Sequence, residues 1–140
     1  MALYSLGQRT AVTSATNPAF GIIGVATIFP RLLEFGLSQV TGVAGTYSLA
    51  RSTNASVQSS TTLPQAENAA DPAAKTTTAL TWGTPPTRTN DLRRLTCPAT
   101  IGAGIIWTFP RGILINATNS IDMWIIATAP VCDVWITIDE

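Results

Sequence analysis

The stretch ATIGAGIIWTFPRGILI, residues 99–115, is the most apolar part of the chain, and Arg111 is its only charged residue. Such a run is compatible with a membrane span, a glycine-rich ligand loop, or buried β-strands around a turn. A membrane-spanning helix needs about 20 consecutive apolar residues. Here Pro110 and three glycines interrupt a shorter run, and both residue types disfavour a helix. The sequence therefore argues against a membrane span.

The glycines of this stretch also match no known phosphate or dinucleotide loop. Gly102 and Gly104 form a G-x-G without the third glycine of a dinucleotide fingerprint, and no GK[ST] follows. Residues 105–109 are β-branched or aromatic, which is typical of a β-strand. Ile105, Trp107 and Phe109 should share one face and Ile106 and Thr108 the other, so both faces are largely apolar. We therefore predict a strand, a turn at residues 110–112 and a short return strand at residues 113–115.

The same pattern of short apolar runs separated by turn residues continues on both sides of this stretch. In residues 31–40, Leu33, Phe35 and Leu37 should share one face of a strand. Residues 120–128 and 131–138 are separated only by Ala-Pro, which predicts a tight hairpin. The chain is thus predicted to be one all-β domain, residues 1–140, folded as an antiparallel β-sandwich of about eight strands, of jelly-roll type.

Residues 52–75 depart from this pattern, because they are small and polar and lack regular alternation. A connection this long in a small domain is either a functional element or a mobile loop. We predict an extended loop or arm that leaves the sandwich and can reach a neighbouring molecule, with a plain surface loop as the alternative.

Charge is scarce in this chain. Of its 140 residues 46% are hydrophobic and only 11% charged, and eight basic residues balance eight acidic ones. A formal charge of zero argues against nucleic-acid binding, which requires a basic surface. Two explanations remain for so few charges: partners cover much of the surface, or the surface consists of Thr, Ser, Asn and Gln.

The residues needed for common catalytic and metal sites are also scarce. The chain has no histidine, which excludes histidine-based triads and histidine metal sites. Glu34, Asp122 and Asp133 lie on separate predicted strands, and nothing in their spacing brings them together as an acid–base pair. Cys97 and Cys132 are too few for a zinc site and form either two buried thiols or one bridge. We therefore expect no enzyme, no metal and no cofactor.

Four segments give the chain a family resemblance. They are QAENAADPA (65–73), TWGTPPT (81–87), LRRLTCPATIGAGIIWTFPRGILI (92–115) and MWIIATAPVCDVWITIDE (123–140). In this order they resemble small β-rich virion structural proteins of tailed phages, and the G-x-G-x-x-W-T-F-P core is the most distinctive part.

The resemblance implies a head decoration, or cement, protein. Such a protein is made in the host cytoplasm and binds the outer surface of the head, where it bridges subunits of the major capsid protein as a homotrimer or homodimer. It implies no catalytic residue, cofactor, nucleic acid or membrane. The alternative is a carbohydrate-binding or adhesin module of a phage tail or fibre, because exposed tryptophans can stack on sugar rings.

Two sets of contact residues follow from this hypothesis. For the contact between copies of the protein we expect an apolar β-face around Trp107, Phe109, Trp124 and Trp135. For the capsid we expect contacts from the N-terminal segment and residues 52–75, namely Leu3, Tyr4, Leu63, Pro64, Gln65, Asp71 and Pro72.

Overall fold

A computed structural model describes residues 2–11, 16–53, 57–127 and 130–140. These residues form strands, turns and irregular connections, and no helix among them is long and apolar enough to cross a membrane. The eleven strands are β1 (Leu3–Arg9), β2 (Phe20–Ile23), β3 (Arg31–Gln39), β4 (Gly45–Thr53), β5 (Val57–Thr62), β6 (Gln65–Ala66), β7 (Thr77–Thr84), β8 (Thr87–Cys97), β9 (Gly104–Leu114), β10 (Asn119–Ala127) and β11 (Cys132–Asp139).

Two antiparallel sheets pack face to face and confirm the predicted β-sandwich. The five-stranded sheet has the order β6-β1-β11-β3-β9, and the six-stranded sheet has the order β5-β7-β2-β10-β4-β8. Four ladders pair β1 with β11, β2 with β10, β3 with β9 and β4 with β8. This is the pattern of a long hairpin wrapped into two sheets, which is the eight-stranded jelly roll.

The remaining strands, β5 to β7, lie between β4 and β8 in the sequence and extend the sheets at one side. The segment 52–75, predicted as an extended loop or arm, contains two of these strands, since β5 pairs with β7 and β6 pairs with β1. Pairing at a sheet edge satisfies backbone amide groups without needing an apolar alternation. β5 and β6 therefore lie along the sandwich.

The space between the sheets is filled by the alternating apolar side chains. Cys132, Val134, Ile136 and Ile138 of β11 are buried there, as the alternation of that segment predicts. Tyr47 and Leu49 of β4 face them from the other sheet, and both are fully buried. Each large apolar side chain removed from water in this way contributes roughly 1.5–3 kcal/mol.

Strand β3 contains a bulge that corrects one predicted face. Leu32, Phe35 and Leu37 lie in the core, whereas Leu33 is only partly buried. The ladders of β3 with β9 and with β11 both shift register here, between Leu32 and Glu34. A bulge adds one residue and reverses the side-chain alternation beyond it, so Leu32 takes the core position predicted for Leu33.

The apolar stretch 99–115 contains one long strand, β9, rather than two short ones around a turn. Residues 109–112 are accommodated opposite Leu33 in a large bulge, where Gly112 has a φ of +65°. Glycine adopts this left-handed conformation without the strain that a side chain would introduce. The predicted turn and return strand are therefore wrong, because β3 continues past this point and keeps residues 113 and 114 paired in the same ladder.

The predicted hairpin between β10 and β11 is also wrong. These strands belong to different sheets, and Pro130 in their connection is buried. Cys132, at the start of β11, is a free buried thiol, as is Cys97 at the end of β8. The Sγ atom of Cys132 lies 3.2 Å from the hydroxyl oxygen of Tyr47. Of the two predicted alternatives for the cysteines, the structure shows buried thiols.

Gly104 is expected to be essential for the close pairing of β9 with β3. A Cβ atom at this position would lie 2.0 Å from the carbonyl oxygen of Leu37, so the backbone would have to move. We expect Gly104→Ala to lower the free energy of unfolding by roughly 1–3 kcal/mol, measured by urea denaturation.

Gly7→Ala is the matched control, because its added Cβ would only approach the carbonyl oxygen of Val134 at 4.0 Å. This variant should unfold within about 0.5 kcal/mol of the wild type. Equal stability of the two variants would contradict the close approach at Gly104.

Candidate functional site

The four aromatic residues predicted to form one contact surface lie on three different faces. Trp107 and Phe109 point inward from β9, where Trp107 stacks on Phe35 with ring centroids 6.1 Å apart. Trp124 lies on the outer face of the six-stranded sheet, and Trp135 on the outer face of the five-stranded sheet. The prediction of a single face is corrected for a topological reason: β10 and β11 belong to opposite sheets, so their outer faces point in opposite directions.

Trp124 belongs to a buried cluster on the outer face of the six-stranded sheet. Trp82 and Trp124 are both almost fully buried there, and Asp122 lies on the same face of β10 with no exposed surface. The indole of Trp82 lies over Gly21, since a Cβ there would come within 2.5 Å of its Cζ2 atom. The guanidinium of Arg88 lies 6.0 Å from the ring centroid of Trp124.

The carboxyl group of Asp122 is incompletely hydrogen-bonded in this cluster. Ser120 donates its hydroxyl to one carboxyl oxygen at 2.7 Å, whereas the other oxygen is buried without a partner among the described residues. Burial raises the pKa of Asp122 from its ordinary value of 3.8 to about 7, against the opposing effect of hydrogen bonds from Ser120 and Ser52. The group is thus close to half-protonated at neutral pH.

The three carboxylates considered as a catalytic set do not meet. Glu34 and Asp133 lie on the outer face of the five-stranded sheet, and Asp122 lies on the outer face of the other sheet. Within the described ranges, no group of three or more cysteine, aspartate or glutamate side chains is placed to hold a metal ion. Asp122 therefore forms no acid–base pair with Glu34 or Asp133.

The outer face of the five-stranded sheet is more open. A row of paired positions crosses it from β1 to β9: Gly7, Trp135, Gly36 and Ile106. The indole of Trp135 lies across Gly36, where a Cβ would come within 2.0 Å of its Cε2 atom, and its N–H donates to Glu34 at 3.3 Å. Trp135 keeps part of its surface in solvent.

A depression of about 440 Å³ lies beside Trp135, above Gly7. Arg9 and Asp133 border it and form a two-point ion pair, with Nε–Oδ1 and Nη2–Oδ2 distances of 2.7 and 3.0 Å. Arg9 lowers the pKa of Asp133 below its ordinary value. We call this feature, bordered by Gly7, Gln8, Arg9, Asp133, Val134 and Trp135, the Trp135 depression.

The predicted capsid-contact residues from the two separate segments come together at the β1–β6 edge of the five-stranded sheet. Residue 4 pairs with residue 66, and residue 5 with residue 65, while the hydroxyl of Tyr4 donates to the carbonyl oxygen of Pro72 at 3.1 Å. Tyr4 and Pro64 are buried and cannot contact a partner directly. The partly or largely exposed members of the set are Leu3, Leu63, Gln65, Asp71 and Pro72.

The free edges of the two sheets at the opposite side differ in charge. The exposed edge strand β8 carries Arg88, Arg93 and Arg94, and charged side chains of this kind discourage pairing with another chain. The edge strand β9 carries Arg111 alone and exposes 55% of Ile106. The β9 edge is therefore the less protected of the two.

The sequence predicted Trp135 as a contact residue but missed Gly7, Arg9 and Ile106. Gly7 and Arg9 are on the first strand, and only the pairing of β1 with β11 brings them beside Trp135. Ile106 was predicted to lie opposite its neighbours Ile105 and Trp107, but its exposure depends on β9 being an edge strand. No local sequence signal contains this information.

No family model, no curated protein and no solved structure matches this chain.

The raised pKa of Asp122 has a consequence for stability. The folded state keeps the proton up to about pH 7, whereas the unfolded chain loses it near pH 3.8, so the unfolded state binds fewer protons in between. We therefore expect the free energy of unfolding to fall as pH rises from 4 to 7, by on the order of 2–4 kcal/mol. Urea denaturation at several pH values measures this slope.

Asp122→Asn should flatten that dependence, because an amide does not titrate. Asp133→Asn is the control: the pKa of Asp133 is lowered, so its contribution changes only below about pH 4 and the slope from pH 5 to 7 should persist. A wild-type stability that is constant from pH 4 to 7 would show that Asp122 is not buried as described.

Proposed function

We propose that this protein is a structural protein of a phage virion, a decoration or cement protein that binds the outer surface of the head and bridges major capsid protein subunits. The resemblance of its four sequence segments supports this assignment. The jelly roll is compatible with it, because that fold recurs in viral capsid and lectin domains. Fold alone does not determine function, so the proposal depends on the exposed surfaces.

The observation that carries the proposal is the apolar and sparsely charged surface of the β9 edge strand around Ile106. Ile106 is more than half exposed there, and Thr108 and Pro110 beside it are exposed and uncharged. Monomeric β-sheet proteins usually protect such edges against pairing with another chain by charged side chains, as the arginines of β8 do here. An edge of this kind suits a protein whose working form is an assembly, and we assign it to the contact between copies in a homotrimer or homodimer.

The β1–β6 edge is the surface that we assign to the capsid. It lies at the opposite end of the five-stranded sheet from β9, so a subunit can use both edges at once. Leu3 and Leu63 expose 42% and 43% of their surfaces there. Hydrogen bonds hold the segment after β6 to the sandwich at both of its ends. The amide of residue 67 donates to the carbonyl oxygen of Leu3, and the carboxylate of Glu140 accepts from the amides of Lys75 and Thr76.

A protein with these two edges would stabilise a capsid by linkage. Each copy that binds assembled capsid subunits, but not separated ones, adds binding free energy that must be lost before the shell opens. Oligomerisation then joins several weak contacts into one stronger attachment through effective concentration. Near-zero net charge favours this association, because it removes long-range repulsion between copies.

Heads that lack the protein provide the test of this function. Purified protein is incubated with such heads, and the pellet after sedimentation is analysed for bound copies per capsid protein subunit. We expect saturable binding at a fixed ratio and a higher temperature of head disruption. Absence of binding to heads, with binding to purified tails or fibres instead, would contradict the decoration role.

Ile106→Asp tests the contribution of the β9 edge to self-association. A carboxylate buried at the contact without a partner should weaken the oligomer by at least about tenfold in its dissociation constant. Analytical ultracentrifugation of a dilution series measures this change.

Ile101→Asp is the matched control, because Ile101 is 70% exposed in the turn before β9 and outside the edge ladder. It should associate like the wild type. If the wild-type protein is a monomer at every concentration, or if both variants associate equally well, the β9 edge is not the contact between copies.

A further inference from the structure

Among the residues that the structure describes, none gives Gly7 a structural reason to be glycine. It is not among the glycines with positive φ, and a Cβ atom on it would meet nothing closer than the carbonyl oxygen of Val134 at 4.0 Å. Gly36, two strands away in the same row, is different, because the Trp135 indole occupies the place of its side chain. Glycine weakens a strand and often marks a place where a ligand or another molecule approaches the backbone closely.

The missing side chain at Gly7 keeps the Trp135 depression open. The depression lies where β1 pairs with β11, on the side of the sheet away from the β9 edge, and both strands of this ladder border it. It combines three features of a small-molecule site: an aromatic side chain, a backbone floor without a side chain, and a few converging polar groups. The features come from two strands that pair along their whole length, so the site is held rigidly.

The polar groups determine which class of ligand fits. Arg9 and Asp133 are 62% and 47% exposed at their side chains, so each retains hydrogen-bonding capacity beyond their mutual pair. Glu34 holds the indole N–H and adds a second carboxylate near the aromatic ring. The single guanidinium of the depression is already paired with Asp133, and with Glu34 across the indole the surroundings disfavour phosphates. An apolar protein surface would leave the ion pair buried at a net cost.

We propose that the Trp135 depression binds a neutral pyranose unit of a glycan. One face of such a sugar is lined with C–H groups that can pack on the indole, and its hydroxyl groups can both donate to Asp133 and accept from Arg9. Gly7 lets the ring lie close to the sheet. This site is additional to the capsid-binding role, and its lining residues are not among those that the proposed function assigns to the capsid or to the contact between copies.

The test uses soluble neutral oligosaccharides of glucose, galactose, mannose and N-acetylglucosamine as probes, titrated into the full-length protein. Binding is followed by saturation-transfer NMR and isothermal titration calorimetry. We expect at least one probe to bind with a dissociation constant below about 10 mM. If none of the four probes binds at that strength, the proposal is overturned.

Two variants locate the binding site. Trp135→Ala removes the packing surface, and Gly7→Leu fills the depression while leaving Trp135 in place; each should raise the dissociation constant at least about tenfold. Ile101→Ser, at a position 70% exposed in the turn before β9 and outside this row, is the control and should bind the sugar like the wild type. Far-ultraviolet circular dichroism and thermal unfolding establish that each variant is folded.

The outcomes separate this proposal from the capsid-binding role. If Trp135→Ala and Gly7→Leu leave sugar binding unchanged, the sugar binds elsewhere and the assignment is overturned. If these two variants lose head binding but keep sugar binding, the depression is a protein contact instead of a sugar site. Sugar binding in a protein that does not attach to heads would leave the glycan site intact and count against the decoration role alone.

Discussion

The ladders between the first four strands and the last four are the interactions on which the rest of this structure depends. β1 meets β11, and the ladder of β3 with β9 joins residues more than 60 positions apart, such as Phe35 and Trp107. None of the four ladders is a local hairpin, so the chain must close long loops before the contacts stabilise it. Once formed, the ladders decide which strands are edges and which side chains share a face.

The alternation of the sequence predicts the parts of the fold that depend on local periodicity. It identifies the apolar face of β11, which is buried, and the shared face of Ile105, Trp107 and Phe109 on β9, because these side chains recur at every second position. It fails at Leu33, where a bulge reverses the alternation, and at the β10–β11 connection, where a short apolar link crosses between sheets. Both features depend on strand pairing, which is not encoded by any single segment.

The candidate surfaces are less predictable than the fold for the same reason. Trp124 and Trp135 lie eleven positions apart on consecutive strands, yet topology places one in a buried cluster and the other beside an open depression. Tyr4 and Pro72, in contrast, come from distant segments and meet in a hydrogen bond. Residue type does not indicate on which face of the sandwich a tryptophan lies, because the sheet order determines that.

Under the proposed function, the five-stranded sheet offers three separate surfaces for contact: two edges and one outer face. The β9 and β1–β6 edges suit protein partners because they expose apolar side chains with few charges, whereas the Trp135 depression is polar at its border. A cryo-electron microscopy map of the particle tests the central claim most directly. We expect density for this jelly roll on the outside of the head, touching at least two capsid subunits through the β1–β6 edge. Density in the tail or a fibre, or no density in the particle, would contradict the account.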